Sequence, residues 1–310
     1  MSANKSDIPE LLAPAGNAEA LKLAIECGAD AVYCGGESFG LRHNANNFTL
    51  AELEKAVEYA HAKGCCIYLT VNALMHESDI SSLRGYLSAA GKTGIDAFIV
   101  SDLGAATLAK ELAPEIALHV STQASVANSL TAKAWYERGA SRIVAARELS
   151  LRELSELKKN MPAGMELEAF VHGAQCMAIS GRCIMSDFLA QRPANKGQCA
   201  HACRWSYQLV EKKRPDEHLP VLEEDGYTSI FSPYDLNMIE HLDELSAAGI
   251  DSFKIEGRTK GVNYVSVVIS AYRAVLDGAC PREYVDALRE QTPRPQGTGF
   301  YYGSPRQNYL

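Results

Sequence analysis

No apolar run in these 310 residues approaches the length needed to cross a bilayer, and residues 1–10 lack the basic-then-apolar order of an export signal. The expectation is a protein with no membrane partner that works in the cytoplasm, where thiols stay reduced. Both glycine-rich phosphate loops, G-x-x-x-x-G-K-[ST] and G-x-G-x-x-G, are missing, which argues against P-loop and dinucleotide sites. His76-Glu77 has no second histidine four positions after the first, so a helical zinc-protease site is excluded. Gly36-Glu-Ser38-Phe-Gly40 fits G-x-S-x-G, but a polar loop follows where a nucleophile elbow must turn into a helix. No low-complexity run and no second core stand out.

What is present is cysteine. Cys176, Cys183, Cys199 and Cys203 are separated by six, fifteen and three residues. In a reduced compartment, four thiols so close together ask for a metal rather than for disulfides. Thiolates are soft ligands that suit a [4Fe-4S] cluster or structural zinc. Zinc ribbons favour paired Cys-x2-Cys knuckles, which neither pair here forms, so the spacing favours the cluster; zinc and inert thiols are the alternatives. Cys34, at the end of an apolar run, is a reserve ligand. The formal net charge of −8 argues against a nucleic-acid partner, yet residues 176–214 carry seven Lys/Arg against two acids. That basic segment can attract an anion whatever the global sign.

Short β-rich apolar runs alternate with amphipathic helical stretches almost throughout. Strands are expected at 10–14, 31–34, 66–71, 97–101, 117–121, 142–146, 166–172 and 252–256. Helices are expected at 50–63, 150–159 and 264–276. Gly28-Ala-Asp, Gly94-Ile-Asp, Gly139-Ala-Ser and Gly249-Ile-Asp each read as a helix C-cap feeding a strand. The pattern implies an α/β fold, a (β/α)8 TIM-barrel-like parallel barrel, with an open doubly wound sheet as the alternative. Residues 1–292 would form the barrel domain and 293–310 a tail, with no second domain. The cysteine-rich insertion, 173–250, falls between strands 7 and 8 and should cap the catalytic mouth.

Polar residues cluster where strands end. Asn72, Gln123, Glu148, Arg147, His172, Lys254, Glu256 and Arg258 all hold such positions. Charges inside apolar strands are costly unless they pair or line a site. Alternation puts Lys254 and Glu256 on one side of their strand. A structural ion-pair network is one reading. The other is a mouth suited to an anion, with Arg147, Lys254, Glu256 and Arg258 as catalytic candidates and His172 as a proton carrier. Asn72, Gln123, Glu148, Arg204, Lys212, Lys213 and Arg214 are the substrate-binding candidates, the last four as part of the basic segment that can attract an anion. Trp205 and Tyr207 add aromatic side chains to the same segment.

Glu168-Ala-Phe170-Val-His172-Gly-Ala-Gln-Cys176 and Ser180-Gly-Arg-Cys183 resemble the collagenase-like peptidase family of unassigned catalytic type. The likeness continues through Leu12-Ala-Pro-Ala-Gly16, Ser121-Thr-Gln123, Cys199-x3-Cys203-Arg-Trp205 and Lys254-Ile-Glu-Gly-Arg258, and spans nearly the whole chain. What the resemblance implies is oxygen-independent hydroxylation with an iron–sulfur cluster on cysteines matching Cys176, Cys183, Cys199 and Cys203. Such relatives act on the tRNA wobble uridine with prephenate, a small carboxylate, as co-substrate; others act on a ribosomal-RNA cytidine or a quinone precursor. The Cys-Arg-Trp and Lys-Ile-Glu-Gly-Arg blocks look most like the tRNA branch. A peptidase, or a non-catalytic iron–sulfur redox or scaffold protein, are the rival expectations. Gln175 departs from the family's apolar residue beside the first cysteine. The chain also stops before the small C-terminal domain of tRNA-type relatives, so a protein partner replacing that domain is expected if the chain is a short member.

Overall fold

The computed structural model describes residues 8–41, 47–176, 178–205, 210–211, 214–218, 222–224, 227–229, 234–292 and 294–303. Seven strands pair in sequence order: β1 (Glu10–Pro14), β2 (Ala31–Gly35), β3 (Cys66–Val71), β4 (Ala97–Val100), β5 (Ala117–Val120), β6 (Arg142–Val144) and β7 (Glu166–Ala174). Two hairpins follow, β8 (Val210–Glu211) with β9 (Arg214–His218) and β10 (Leu222–Glu224) with β11 (Tyr227–Ser229), and then β12 (Asp235–Asn237). The eighth barrel strand, β13 (Ser252–Ile255), lies between β7 and β1, parallel to both, and closes the ring. The fold is the closed (β/α)8 barrel that the alternation implied. Its insertion falls between the seventh and eighth barrel strands.

Helices α1 (Ala18–Glu26), α2 (Leu50–His61), α3 (Ile80–Gly91), α4 (Leu103–Leu112), α5 (Ser129–Tyr136) and α6 (Leu151–Asn160) connect successive strands. Thr49 and Ser150 cap α2 and α6 through reciprocal bonds with Glu52 and Glu153, which satisfies otherwise orphaned backbone donors. α7 (Met185–Ala190) belongs to the insertion, α8 (Leu242–Ala247) leads into β13, α9 (Val262–Leu276) packs on α1 and β1, and α10 (Val285–Arg289) follows. Gly28, Gly94, Gly139 and Gly249 all have φ between +83° and +98°, the left-handed turn expected before each strand. Among the described residues no helix is long and apolar enough to cross a membrane.

Strand alternation splits the core in two. Leu11, Val32, Cys34, Ile67 and Leu69 pack outward beneath the helices. Leu12, Ala31, Tyr33, Tyr68, Ala97 and Ile99 fill the barrel interior. Cys34 therefore faces the helix layer, and burial pushes its thiol up to about 12, which disfavours the thiolate a metal needs. The reserve-ligand expectation for Cys34 is corrected on that ground.

The pairing of β7 with β13 contains one irregularity. Lys254 pairs with Phe170, but the next residue, Ile255, pairs with His172, so Val171 is an extra residue in β7. A β-bulge of this kind reverses the side-chain alternation beyond it. β12 runs antiparallel to the end of β7, and β14 (Gln296–Gly297) adds to β12. Asp235 secures this annex by accepting from Thr292 Oγ1 at 2.9 Å and pairing with Arg294 at 2.7 Å.

Candidate active site at the barrel mouth

Residues at and just beyond the C-terminal ends of the strands line a small open-mouthed cavity of about 80 Å³. In barrels this is the face where chemistry is placed. Lys254, Arg147, Glu256 and Arg258 all line it, together with Asn72 and Gln123. The fold thus gathers six residues from four stretches of sequence, as the strand-end reading expected.

Each cation is held differently. Lys254 Nζ donates to Glu168 Oε1 at 2.6 Å and sits 4.3 Å from the centre of the Tyr33 ring. The Arg147 guanidinium stacks 3.9 Å above Phe170, donates to the Ala174 carbonyl at 3.0 Å and lies 3.6 Å from Glu256. Its buried Nε has no hydrogen-bond partner among the described residues. Arg258 donates to Thr70 Oγ1 at 2.6 Å and to Asn47 Oδ1 at 3.3 Å. A Cβ at position 35 would come within 2.6 Å of its guanidinium, so Gly35 is what lets Arg258 enter. Asn72 donates weakly to Ser121 at 3.4 Å, while its buried Oδ1 has no partner among the described residues. Buried polar atoms of this kind are costly unless a ligand or water completes them.

Beneath the cavity runs a buried ionic column that the sequence reading did not assign. Arg142 contacts Glu10 at 2.6 Å, Glu166 at 2.7 Å and Glu168 at 3.3 Å. Burial opposes ionisation of Glu10, but the Arg142 charge and hydrogen bonds from Arg142, Tyr68 and Ser252 outweigh it and hold the carboxyl below its usual value. The signal was present in the sequence. Glu10, Arg142 and Glu168 are charges inside apolar strands, the same cue that drew attention to Lys254.

His172 does not join the site. The bulge at Val171 turns it away from the barrel axis, and its Nδ1 meets the Tyr272 hydroxyl of α9 at 3.2 Å. Burial lowers its pKa to about 4, so the ring is neutral at physiological pH. The proton-carrier expectation is corrected: simple alternation would have put His172 on the same face as Phe170, and the extra residue reverses it.

The insertion lies across the mouth and is pinned on two sides. Glu148 accepts from the Ser180 backbone at 2.6 Å and from its hydroxyl at 2.9 Å. It is thus an anchor for the cysteine loop rather than an open contact for substrate. Ser180 is fully buried with φ +47°, a strained conformation that this double bond sustains. On the other side Leu74 donates to the Asn195 carbonyl at 2.8 Å, and Lys196 pairs with Asp79.

Cys176 lines the cavity. Cys183 Sγ accepts from the Met185 backbone at 3.3 Å, and Cys199 Sγ from the His201 backbone at 3.4 Å. Ser186 stitches the two segments together, accepting from Ala200 N at 2.9 Å and donating to the Arg192 carbonyl at 2.8 Å. None of the four cysteines, Cys203 included, forms a disulfide among the described residues. Among the described residues, no group of three or more His, Cys, Asp or Glu side chains is placed to hold a metal ion. The donor chemistry nonetheless fits a soft metal, because amides aimed at sulfur stabilise thiolates and tune clusters. Lys212 and Lys213 lie outside the described residues, as does Tyr207. Arg204 belongs to a short 3-10 turn, and Arg214 begins β9. Trp205 is 40% exposed.

Fold and site together define a (β/α)8 barrel whose cation-lined mouth is covered by a cysteine-rich insertion. The model of Peptidase family U32 matches residues 16–310, and the chain belongs to that family. It is similar to "tRNA hydroxylation protein P1" of Bacillus subtilis (strain 168), 40% identical over 305 residues, covering 96% of this chain and 72% of that protein. It is also similar to a 23S rRNA 5-hydroxycytidine synthase of Escherichia coli (strain K12), 37% identical over 291 residues, with 93% and 42% covered. Among solved structures, a U32 peptidase aligns with TM-score 0.52 at 15% identity over 82% of this chain and 95% of that one, a likeness of fold.

Proposed function

We propose that this chain hydroxylates RNA without molecular oxygen, forming 5-hydroxyuridine at the tRNA wobble position. The observation that carries the reading is the juxtaposition of Arg147, Lys254 and Arg258 in one cavity with Cys176 at its rim. Three cations around a small cavity suit a dicarboxylic oxygen donor such as prephenate. The 40% identity to a protein named for tRNA hydroxylation supports the RNA substrate.

Arg147 and Arg258 would grip the donor's carboxylates, with Lys254 beneath them as a point charge. Glu256 would restrain Arg147 until the anion arrives. Asn72 Oδ1 would accept from a donor or base N–H or O–H group. Cys176, Cys183, Cys199 and Cys203 would hold a [4Fe-4S] cluster, which when bound supplies a centre able to bind the donor or handle electrons. Arg204, Lys212, Lys213 and Arg214 would receive RNA phosphates, a role consistent with the basic character of the insertion.

A hydrolytic role, which the family name suggests, gains little from the site. Among the described residues lining the cavity there is no histidine to activate a serine or cysteine. The deciding experiment is nucleoside mass spectrometry of RNA from a deletion strain. Loss of 5-hydroxyuridine-derived nucleosides from tRNA is expected. Loss of a ribosomal hydroxycytidine instead would redirect the substrate, and no change in either would sink the hydroxylase reading.

A further inference from the structure

The ionic column ends at the cavity floor, and its uppermost link has a consequence for binding. Glu168 is completely buried, while Arg142 and Lys254 are each only 4% exposed. A carboxylate in such a place persists because cations flank it. The two cations are not equivalent. Arg142 divides its donors among Glu10, Glu166 and Glu168, and its contact with Glu168, at 3.3 Å, is the longest of the three. Lys254 makes the shorter contact, 2.6 Å, to the other oxygen of Glu168.

The lysine side depends on Glu168 in turn. An ammonium carries three donors, and the hydrogen bond Lys254 makes among the described residues goes to Glu168. The Tyr33 ring flanks the ammonium at 4.3 Å and is itself fixed by donating its hydroxyl to the Ile255 carbonyl at 2.8 Å. The remaining face of Lys254 opens to the cavity. A flexible four-carbon stem is thus held at one point by one carboxylate.

We propose that Glu168 is a positioning residue: it holds the Lys254 ammonium at the cavity floor, aimed at a carboxylate of the bound donor. The inference rests on the reading of the mouth as a donor site. Arg142 acts one step further down, holding Glu168 in place, and Glu10 in turn holds Arg142.

The test is a double-mutant cycle on prephenate binding, measured by calorimetry on wild type, K254M, E168Q and the double variant. K254M should weaken binding by about tenfold or more, the scale of one charge-assisted hydrogen bond. E168Q should weaken it comparably, and the double variant should bind no worse than K254M alone, because Glu168 acts only through Lys254. Losses that multiply in the double variant would overturn the positioning role, as would normal binding by E168Q beside a weakened K254M. If K254M binds like wild type, or wild type does not bind, the donor-site reading itself falls. Should E168Q fail to fold by circular dichroism, E168D keeps the charge on a shorter stem; binding intermediate between wild type and K254M is expected, and unaltered binding counts against the proposal.

Discussion

The imidazole of His172 faces the hydroxyl of Tyr272, 3.2 Å away, on the helix side of the barrel wall. One extra residue in β7, Val171, produces that arrangement. It makes His172 a structural group whose ionisation opposes folding.

The sign follows from its depressed pKa. With an ordinary value of 6.5 in the unfolded chain and about 4 in the folded one, the unfolded state binds more protons between them. Stability from His172 is complete above pH ~6.5 and falls as pH drops toward ~4, by about 3 kcal/mol. Urea titrations across this range should show that component in wild type and lack it in H172F. H172F should still bind prephenate, since the ring lies outside the cavity.

Glu10 gives a second pH dependence in a lower window. Its folded pKa lies below the ordinary 4.5, so its contribution is present above that value and is lost as pH falls through the folded pKa. E10Q leaves the buried Arg142 short of a partly buried partner and should cost about 3 kcal/mol at neutral pH. The acid limb of its stability curve should be correspondingly flatter. Equal stability of E10Q and wild type at pH 7 would show that Glu166 and Glu168 suffice for Arg142.

Anaerobically prepared protein should be brown, with absorption near ~400 nm and about four irons per chain. C183A and C199A should bleach it. E148A, which frees Ser180, should leave the barrel folded while speeding amide exchange at 178–183 and lowering retained iron. Stoichiometric zinc in place of iron would refute the cluster.

R258A separates donor binding from cluster assembly. Arg258 donates to Thr70 and Asn47, neither of which belongs to the cysteine-rich insertion. The variant should retain iron and fold, bind prephenate about tenfold or more weakly, and fail to restore tRNA modification in a deletion strain. Full complementation by R258A would remove it from the donor site.

The amino-acid sequence by itself determined the barrel and its mouth. Eight apolar runs separated by capped amphipathic helices have few other ways to bury both faces, and the end of each run marks a site-facing position. Thr49, Ser150 and the glycines at 28, 94, 139 and 249 acted locally, through hydrogen bonds and backbone freedom within a few residues, and so were legible. The tertiary structure alone decided which charges meet. Arg142 and Glu168 stand on the paired strands β6 and β7, but Glu10 lies on β1, and only closure of the ring brings it to them. It alone turned Cys34 and His172 outward, the first by strand phase and the second by a single inserted residue. It also made Glu148 an anchor for the loop carrying Ser180, a pairing across 32 positions that no local pattern encodes. Period-two alternation is a local rule, and one bulge set by packing against a neighbouring strand is enough to reverse it.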